Sequence, residues 1–257
     1  FEPFIKQYLT YVLTLRLSML ILKTIYKLLI FSAFFLLPCN LQAQIKINYA
    51  ENTNDLVSEV LVGKGSGLEI LGSRYLVSSA AIGTFSSHMV YNSFIDLGIV
   101  LSTGNVMDAI GPNQSNNKSG KNLESGMAAL TALARANKTF DAAALAFDFI
   151  SASDSIAFQY IFASEEYPEF VNRNVNDVFA FILVNLEDGT KQNLATLPDG
   201  KTPICVDAIN HVINSSYFNL NAKWEADAVD KWKQKPRLGE TALMLEFDGF
   251  TTILNTG

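Results

Sequence analysis

The sequence predicts a mainly β fold: an antiparallel β-sandwich of jelly-roll type, with one or two short peripheral helices, preceded by a signal peptide. Many short apolar runs are separated by turn residues, and strands do not alternate regularly with helices along the chain. Large apolar residues recur at every second position at Leu145, Phe147 and Phe149, as in a strand with one buried face. These observations favour antiparallel sheets over a parallel sheet covered by helices.

Two helices and one long loop are expected beside the strands. A first helix over 55–62 places Leu56 on an apolar stripe, with Asn54 available as its cap. A second helix is expected over 123–136, which is rich in Ala, Leu and Met. The polar stretch 108–121 is expected to be a surface loop. The predicted strands cover residues 68–71, 74–78, 98–102, 144–150, 155–163, 178–184, 192–196, 204–207 and 242–247.

Residues 19–43 have the organisation of a secretory signal peptide. Met19 is followed by the basic residues Lys23 and Lys27, then by the apolar run 28–37, and Ala43 supplies a small residue at the cleavage site. The apolar core is about ten residues long, whereas a spanning helix needs about twenty. The chain is therefore expected to be exported.

Two other interpretations of the N-terminus compete with this one. The apolar stretch 8–22 could act with 28–37 as a membrane anchor, but residues 1–18 are expected to be an upstream extension ahead of the true start at Met19. A lipoprotein would use Cys39, although Pro38 stands where a small residue is usual.

Residues 44–257 are then a single domain, and the strand-like end of the chain predicts that this domain is C-terminally incomplete.

Charge and cysteine content limit the function classes. The whole chain has a net charge of −6, and removing residues 1–43 takes away four basic residues and one acidic residue, which makes it −9. This balance argues against nucleic acid or an anionic membrane as partner, since both favour basic patches; membrane contact is expected only through export or a C-terminal anchor. Only Cys205 remains, so a hydrophobic core must provide stability.

Acidic and amide side chains crowd the connection between the predicted strands 155–163 and 178–184. Calcium is the cation that best suits such a group, because it accepts six to eight hard oxygen ligands in flexible geometry. The alternative is a structural connection in which Glu165 and Asp177 accept backbone hydrogen bonds and the other carboxylates face water. The candidate calcium ligands are Glu165, Glu166, Asn176 and Asp177, with Asn113 and Asp248 as distant contributors.

Catalysis and ligand binding have weaker sequence signals. A glycosidase would need two carboxylates of the Glu165–Asp177 connection about 5 to 10 Å apart, for which Glu166 and Asp177 form the conceivable pair. Two histidines and no Gly-x-Ser-x-Gly elbow disfavour nucleophilic hydrolysis. Trp224 and Trp232 lie in a polar stretch and are the candidate ligand-binding residues, for an extracellular carbohydrate or a host or cell-surface protein.

Several motifs resemble one known family when they are taken in order. They include Gly98-Ile99-Val100-Leu101-Ser102-Thr103-Gly104, Ser164-Glu165-Glu166-Tyr167-Pro168-Glu169-Phe170, Asn176-Asp177-Val178-Phe179 and Asp248-Gly249-Phe250-Thr251. Together they make residues 52–257 similar to the bacterial choice-of-anchor L domain. The resemblance implies an exported domain attached to the cell envelope by different C-terminal devices, often on large surface or adhesin-like chains, and it implies no assigned chemistry. The function expected for this chain is non-enzymatic adhesion or ligand binding at the cell surface, with calcium as a possible stabiliser. The cleavage region resembles signal peptides common in Bacteroidetes, where a type IX secretion sorting domain often supplies that device.

Overall fold

The computed structural model divides into two compact units, residues 1–41 and 42–257. In the first unit, residues 22–27 are helical. Among the described residues, none of the helices combines the length and the apolar character that crossing a membrane requires. The residues that the structure describes are 22–27, 45–76, 79–87, 95–111, 118, 120–168, 170–221 and 247–256.

The second unit is mainly β, as predicted, and every strand pair is antiparallel. The strands group into small sheets with the orders β1-β3-β4, β2-β5, β6-β14, β8-β11, β9-β10 and β7-β13-β12. The jelly-roll sandwich stays a prediction. The strands are β1 Lys46–Tyr49, β2 Leu68–Tyr75, β3 Ile82–Ser86, β4 Leu97–Leu101, β5 Leu145–Ser151, β6 Gln159–Tyr160, β7 Ala163–Ser164, β8 Val178–Phe179, β9 Ile182–Val184, β10 Lys191–Asn193, β11 Ile204–Cys205, β12 Phe218–Leu220, β13 Gly249–Thr251 and β14 Leu254–Asn255.

The first helix covers the predicted residues 55–62 but begins two residues earlier, so Asn54 lies inside the helix and the prediction that it caps the helix is wrong. A short α-helix, Thr53–Asp55, continues as a π-helical segment, Leu56–Val62, and the Asn52 side chain accepts a hydrogen bond from the Asn54 amide at its start. Gly63 ends the segment at φ 72°, a conformation that costs glycine little. The helix buries the leucine and valine that open the π-helical segment.

The second helix is shorter than predicted, because its expected first residues adopt another conformation. It covers Ala128–Leu133 rather than 123–136. Leu123 has φ 65°, and Gly126 lies so close to Thr139 that an added Cβ would approach the Thr139 carbonyl oxygen far within contact distance. Tertiary packing therefore overrides the helix propensity of this segment.

Two long predicted strands are each divided in two. Predicted strand 155–163 becomes β6 and β7, which pair with β14 and β13, and predicted strand 178–184 becomes β8 and β9, which pair with β11 and β10. The change of partner interrupts each ladder. At the end of the second of these predicted strands, Ile182 and Val184 are about two-fifths exposed. Conversely, the two strands predicted over 68–71 and 74–78 form one strand, β2, with a bulge between Ile70 and Gly72.

In the described part of the chain, buried side chains form two core clusters. The buried members of the first are Ile45 just before β1, Ile47 in β1, Val106 and Ala109 in the 3-10 turn Val106–Ala109, and Phe250 in β13. The second lies under the acidic connection. Its buried members are Phe162, Tyr167, Ala195, Leu197, Ile204, Val206, Ile209 and Leu254.

Candidate functional site

The acidic connection runs from Ser164, at the end of β7, to Asp177, which precedes β8. Side chains before and after it meet in pairs: Phe158 packs on Phe181 with ring centroids 4.9 Å apart, and Tyr160 packs on Phe179 at 5.0 Å. β6, which carries Tyr160, pairs with β14, and β8, which carries Phe179, pairs with β11, while Phe158 and Phe181 lie just outside these strands. The rings therefore join segments that do not pair with each other through their backbones. The connection thus closes an aromatic contact between two strand pairs.

Ser164 and Asp177 join the two ends of the connection. The Ser164 hydroxyl donates a 2.6 Å hydrogen bond to Asp177 Oδ2, and the same hydroxyl accepts a 3.1 Å bond from the Glu166 amide. Burial raises the pKa of the Asp177 carboxyl, and the hydrogen bond from Ser164 opposes this shift in part. Asp177 therefore binds a side-chain hydroxyl, where the structural alternative predicted backbone amides.

Both the nitrogen and the oxygen of the Asn176 side-chain amide form hydrogen bonds within the protein. Its side-chain nitrogen donates to the Ala134 carbonyl at 3.4 Å, just after the second helix, and its Oδ1 accepts the Asp207 amide at 3.1 Å. Asp207 Oδ1 in turn accepts the Asn172 amide at 2.6 Å. These bonds tie the connection to two neighbouring segments.

Tyr167 anchors the middle of the connection in the second core cluster. Its side chain is fully buried, and its hydroxyl donates a 2.7 Å hydrogen bond to the Ile209 carbonyl. Burial raises the pKa of the Tyr167 phenol, so the hydroxyl remains a donor. An added Cβ at Gly249 would lie 2.7 Å from both the Tyr167 and the Phe218 rings, so this position of β13 accepts only glycine without rearrangement.

The fold brings Asp248 close to the connection. Gly249 pairs with Ser164 and Phe250 with Ala163, and continuing this antiparallel register places Asp248 opposite Glu165. Both Glu165 carboxylate oxygens and Asp248 Oδ2 are shielded from solvent. Glu165 and Asp248, which are 83 positions apart in sequence, therefore lie opposite each other at adjoining strand ends.

The four candidate calcium ligands all lie in the described part of the chain. Among the described residues, no group of three or more His, Cys, Asp or Glu side chains is close enough to hold a metal ion. The amide of Asn176 and one Asp177 oxygen are engaged in hydrogen bonds. Asn113, Glu169, Trp224 and Trp232 lie outside the described residues.

The roles of Ser164 and Tyr167 in holding the connection are not predicted from the sequence. Asn210, whose role is likewise not predicted, is fully buried, and its Oδ1 accepts the amides of Val212 and Ile213, which holds the segment after β11 rather than the connection. A usable signal was that Ser164 and Asp177 directly flank predicted strand ends, where polar side chains close loops.

Comparison with known proteins agrees with the order of these motifs. The family model described as the choice-of-anchor L domain matches residues 45–257. Neither a curated protein nor a solved structure matches the chain. The matched region contains the connection, the strands on either side of it and β13. The chain therefore belongs to the choice-of-anchor L domain family, whose proteins are exported or surface-anchored.

Proposed function

We propose that residues 44–257 form an exported domain that acts at the cell surface in adhesion or ligand binding, without catalysis. The observation that carries this proposal is the family match over residues 45–257. The signal-peptide pattern of residues 19–43 supports export, since a cleaved N-terminal segment of this kind directs secretion.

The geometry of the acidic connection supports a structural role for it. A catalytic carboxylate has to reach a substrate, whereas Asp177 accepts a hydrogen bond from Ser164 at 2.6 Å. The polar side-chain atoms of Asn176 and Tyr167 form hydrogen bonds with backbone groups of neighbouring segments. The connection thus supports the strands from which a binding surface is presented.

Trp224 and Trp232 are the residues that we propose to contact the ligand, which is an extracellular carbohydrate or a cell-surface protein. Purified protein is screened for binding on glycan surfaces and on intact cells. Trp224→Ala and Trp232→Ala are expected to lose binding with unchanged thermal stability. Phe170→Ala, which removes an exposed aromatic ring of the acidic connection, serves as the control and is expected to retain binding. Equal binding by all three variants contradicts the assignment.

A carbohydrate-active hydrolase is the second candidate, and the raised pKa of Asp177 is the observation that favours it. A general acid in a glycosidase needs a carboxyl that stays protonated. Glu166 is the conceivable partner carboxylate. If the chain hydrolyses a polysaccharide, Glu166→Gln abolishes the release of reducing ends while circular dichroism and melting temperature stay unchanged. We expect no release of reducing ends from the wild type.

A further inference from the structure

Tyr49 is a surface aromatic side chain whose orientation is fixed by a hydrogen bond. It is the last residue of β1, and 46 % of it is exposed. Its hydroxyl donates a 3.0 Å hydrogen bond to Asn105 Oδ1, and Asn105 directly precedes the 3-10 turn Val106–Ala109. Gly83 lies opposite Tyr49 in β3, and a Cβ at Gly83 would lie only 3.3 Å from the buried Val106 side chain. The glycine thus lets the turn approach β1, so that the Tyr49 hydroxyl reaches Asn105.

The Asn105 side-chain amide is held in one orientation as well. Its Oδ1 also accepts the Met107 amide at 2.9 Å, and because a backbone N–H can only donate, the atom that faces the turn must be the oxygen. The amide nitrogen therefore points away from Tyr49 and Met107, and it donates to no acceptor among the described residues. Tyr49 and Asn105 together present an exposed ring beside two N–H donors whose direction is set before any ligand binds.

This hydrogen bond distinguishes Tyr49 from other exposed rings. In the described part of residues 45–256, the other exposed aromatic side chains are Phe140 and Phe170, and neither has a polar group that a hydrogen bond could hold. A side chain that is already ordered loses less conformational entropy when a ligand binds. Tyrosine also offers a large, rigid contact area with only two rotatable bonds. The fold thus prepares the Tyr49 ring for contact with a ligand.

The side chains next to Tyr49 and Asn105 are mostly polar. The Asp108 amide donates to the Asn105 carbonyl at 3.0 Å, and the Asp108 side chain is 46 % exposed. Met107, which is 36 % exposed, adds an apolar group. The centres of protein–protein interfaces are depleted in charged residues, whereas sites for small ligands combine aromatic side chains with a few fixed polar groups. This surface therefore fits a small polar ligand better than a protein.

Charge indicates that such a ligand is uncharged. The Asp108 carboxylate lies 3.9 Å from the Lys118 ammonium, so these two charges oppose each other. Close to Tyr49 in sequence, the exposed residues Lys46, Glu51 and Asp55 sum to a charge of −1. An anionic ligand is attracted by net positive charge, which these residues do not supply.

We propose that Tyr49 and Asn105 form a binding site for a neutral carbohydrate. The C–H groups on one face of a sugar ring would pack on the Tyr49 ring, because an aromatic ring offers a flat apolar surface. The Asn105 NH2 group would donate to a sugar oxygen, and the Asp108 carboxylate would accept from a sugar hydroxyl. This inference rests on the proposed ligand-binding function and adds to it a contact that is distant in sequence from Trp224 and Trp232.

The test is saturation-transfer NMR of the full chain with cellotriose, maltotriose and xylotriose, followed by titration with each sugar that binds. The wild type is expected to bind at least one of them. Tyr49→Ala is expected to weaken that affinity by about tenfold or more, and Tyr49→Phe, which keeps the ring but not its bond, by about two- to tenfold. Asn105→Asp keeps both accepted bonds but replaces the donor with a carboxylate oxygen. It is expected to weaken binding by about fivefold with an unchanged melting temperature.

Phe140→Ala is the control, since it removes a ring that is 65 % exposed elsewhere on the chain, and it is expected to keep the wild-type affinity. Unchanged affinity in Tyr49→Ala or in Asn105→Asp, or no binding of any of the three sugars, would overturn the proposal. Binding to intact cells that Tyr49→Ala loses and that these sugars do not compete would also overturn it, because the partner would then be a protein.

The tryptophan variants separate this inference from the proposed function. If Trp224→Ala and Trp232→Ala lose sugar binding while Tyr49→Ala retains it, the proposed function stands and the Tyr49 site is wrong. If the wild type binds neither the sugars nor intact cells, the proposed function fails together with the Tyr49 site.

Discussion

Individual side chains hold the acidic connection in place by hydrogen bonds within it and to neighbouring segments. Tyr167 reaches down to the Ile209 carbonyl, and Ser164 joins the start of the connection to Asp177 at its end. Asn176 reaches outward to Ala134 and Asp207. Each of these bonds can be removed separately by a single substitution.

Removing the Tyr167 hydroxyl tests the deepest of these bonds. Tyr167→Phe leaves the buried Ile209 carbonyl without its 2.7 Å donor, which is expected to lower the free energy of unfolding by about 1–3 kcal/mol. Urea denaturation measures this change. Tyr49→Phe is the control, because that hydroxyl bonds to Asn105 at the surface, and its effect is expected to stay within about 0.5 kcal/mol. Equal effects would mean that the buried bond contributes nothing.

The raised pKa of Asp177 predicts a pH dependence with a definite sign. The folded protein favours the protonated Asp177 carboxyl. The contribution of this carboxyl to the free energy of unfolding is therefore fully present below the unfolded pKa of 3.8 and is lost as pH rises through the higher folded pKa. The asparagine of the Asp177→Asn variant does not titrate, so the variant does not undergo this loss. In urea denaturation, the free energy of unfolding of the variant is expected to rise relative to that of the wild type as pH increases from 4 to 7.

Asp199→Asn provides the control for that measurement. Hydrogen bonds from Thr202 lower the pKa of Asp199 to about 2, so its contribution is already complete above pH 4 and is lost only at lower pH. The difference between Asp199→Asn and the wild type is therefore expected to be flat from pH 4 to pH 7. If Asp177→Asn instead loses relative stability as pH rises, the Asp177 carboxylate is stabilised by a positive charge such as calcium.

At the scale of elements, short strands exchange partners on both sides of the connection. The pairs β6–β14 and β8–β11 are each only two residues long, too short to be stable through backbone bonds alone. The aromatic contacts between Phe158 and Phe181 and between Tyr160 and Phe179 join these pairs. Side-chain packing therefore stabilises these short strand pairs, which have too few backbone hydrogen bonds to be stable alone.

A double-mutant cycle measures that packing. Phe158→Leu and Phe181→Leu are expected to couple by about 0.5–1.5 kcal/mol in the free energy of unfolding, because their centroids are 4.9 Å apart at an angle of 32°. Phe158→Leu combined with Phe85→Leu, in contact with the first core cluster, is expected to be additive within about 0.5 kcal/mol. Additivity in the first pair would contradict the role of the aromatic contact.

The strand positions could be predicted from the sequence where period-two alternation is strong, as in β5. The division of 155–163 and 178–184 could not, because partner exchange depends on residues far away, such as Leu254 opposite Tyr160. The acidic connection was located correctly from its flanking apolar runs. Its hydrogen bonds could not be predicted, since an Asn or Asp side chain has the same donors and acceptors whether it binds a cation or a distant carbonyl.

Over the whole molecule, the acidic composition of the chain keeps calcium among the ions to test. Asp248 lies opposite Glu165 by register, and a cation between such carboxylates would be stabilising. If calcium binds the folded domain, 1 mM calcium raises the melting temperature, a chelator reverses the rise, and Glu165→Gln removes the response. Magnesium at the same concentration is the control. A melting temperature that does not change across a wide calcium range rules the ion out.

Export to the cell surface is the central claim, because the family match and the signal-peptide pattern both support it and the proposed binding role requires it. The most direct measurement is protease treatment of intact cells of the bacterium that carries the gene, followed by detection with an antibody raised against residues 45–257. We expect the protein to be digested on intact cells while a cytoplasmic marker survives. Protection of the protein until the cells are lysed would contradict it.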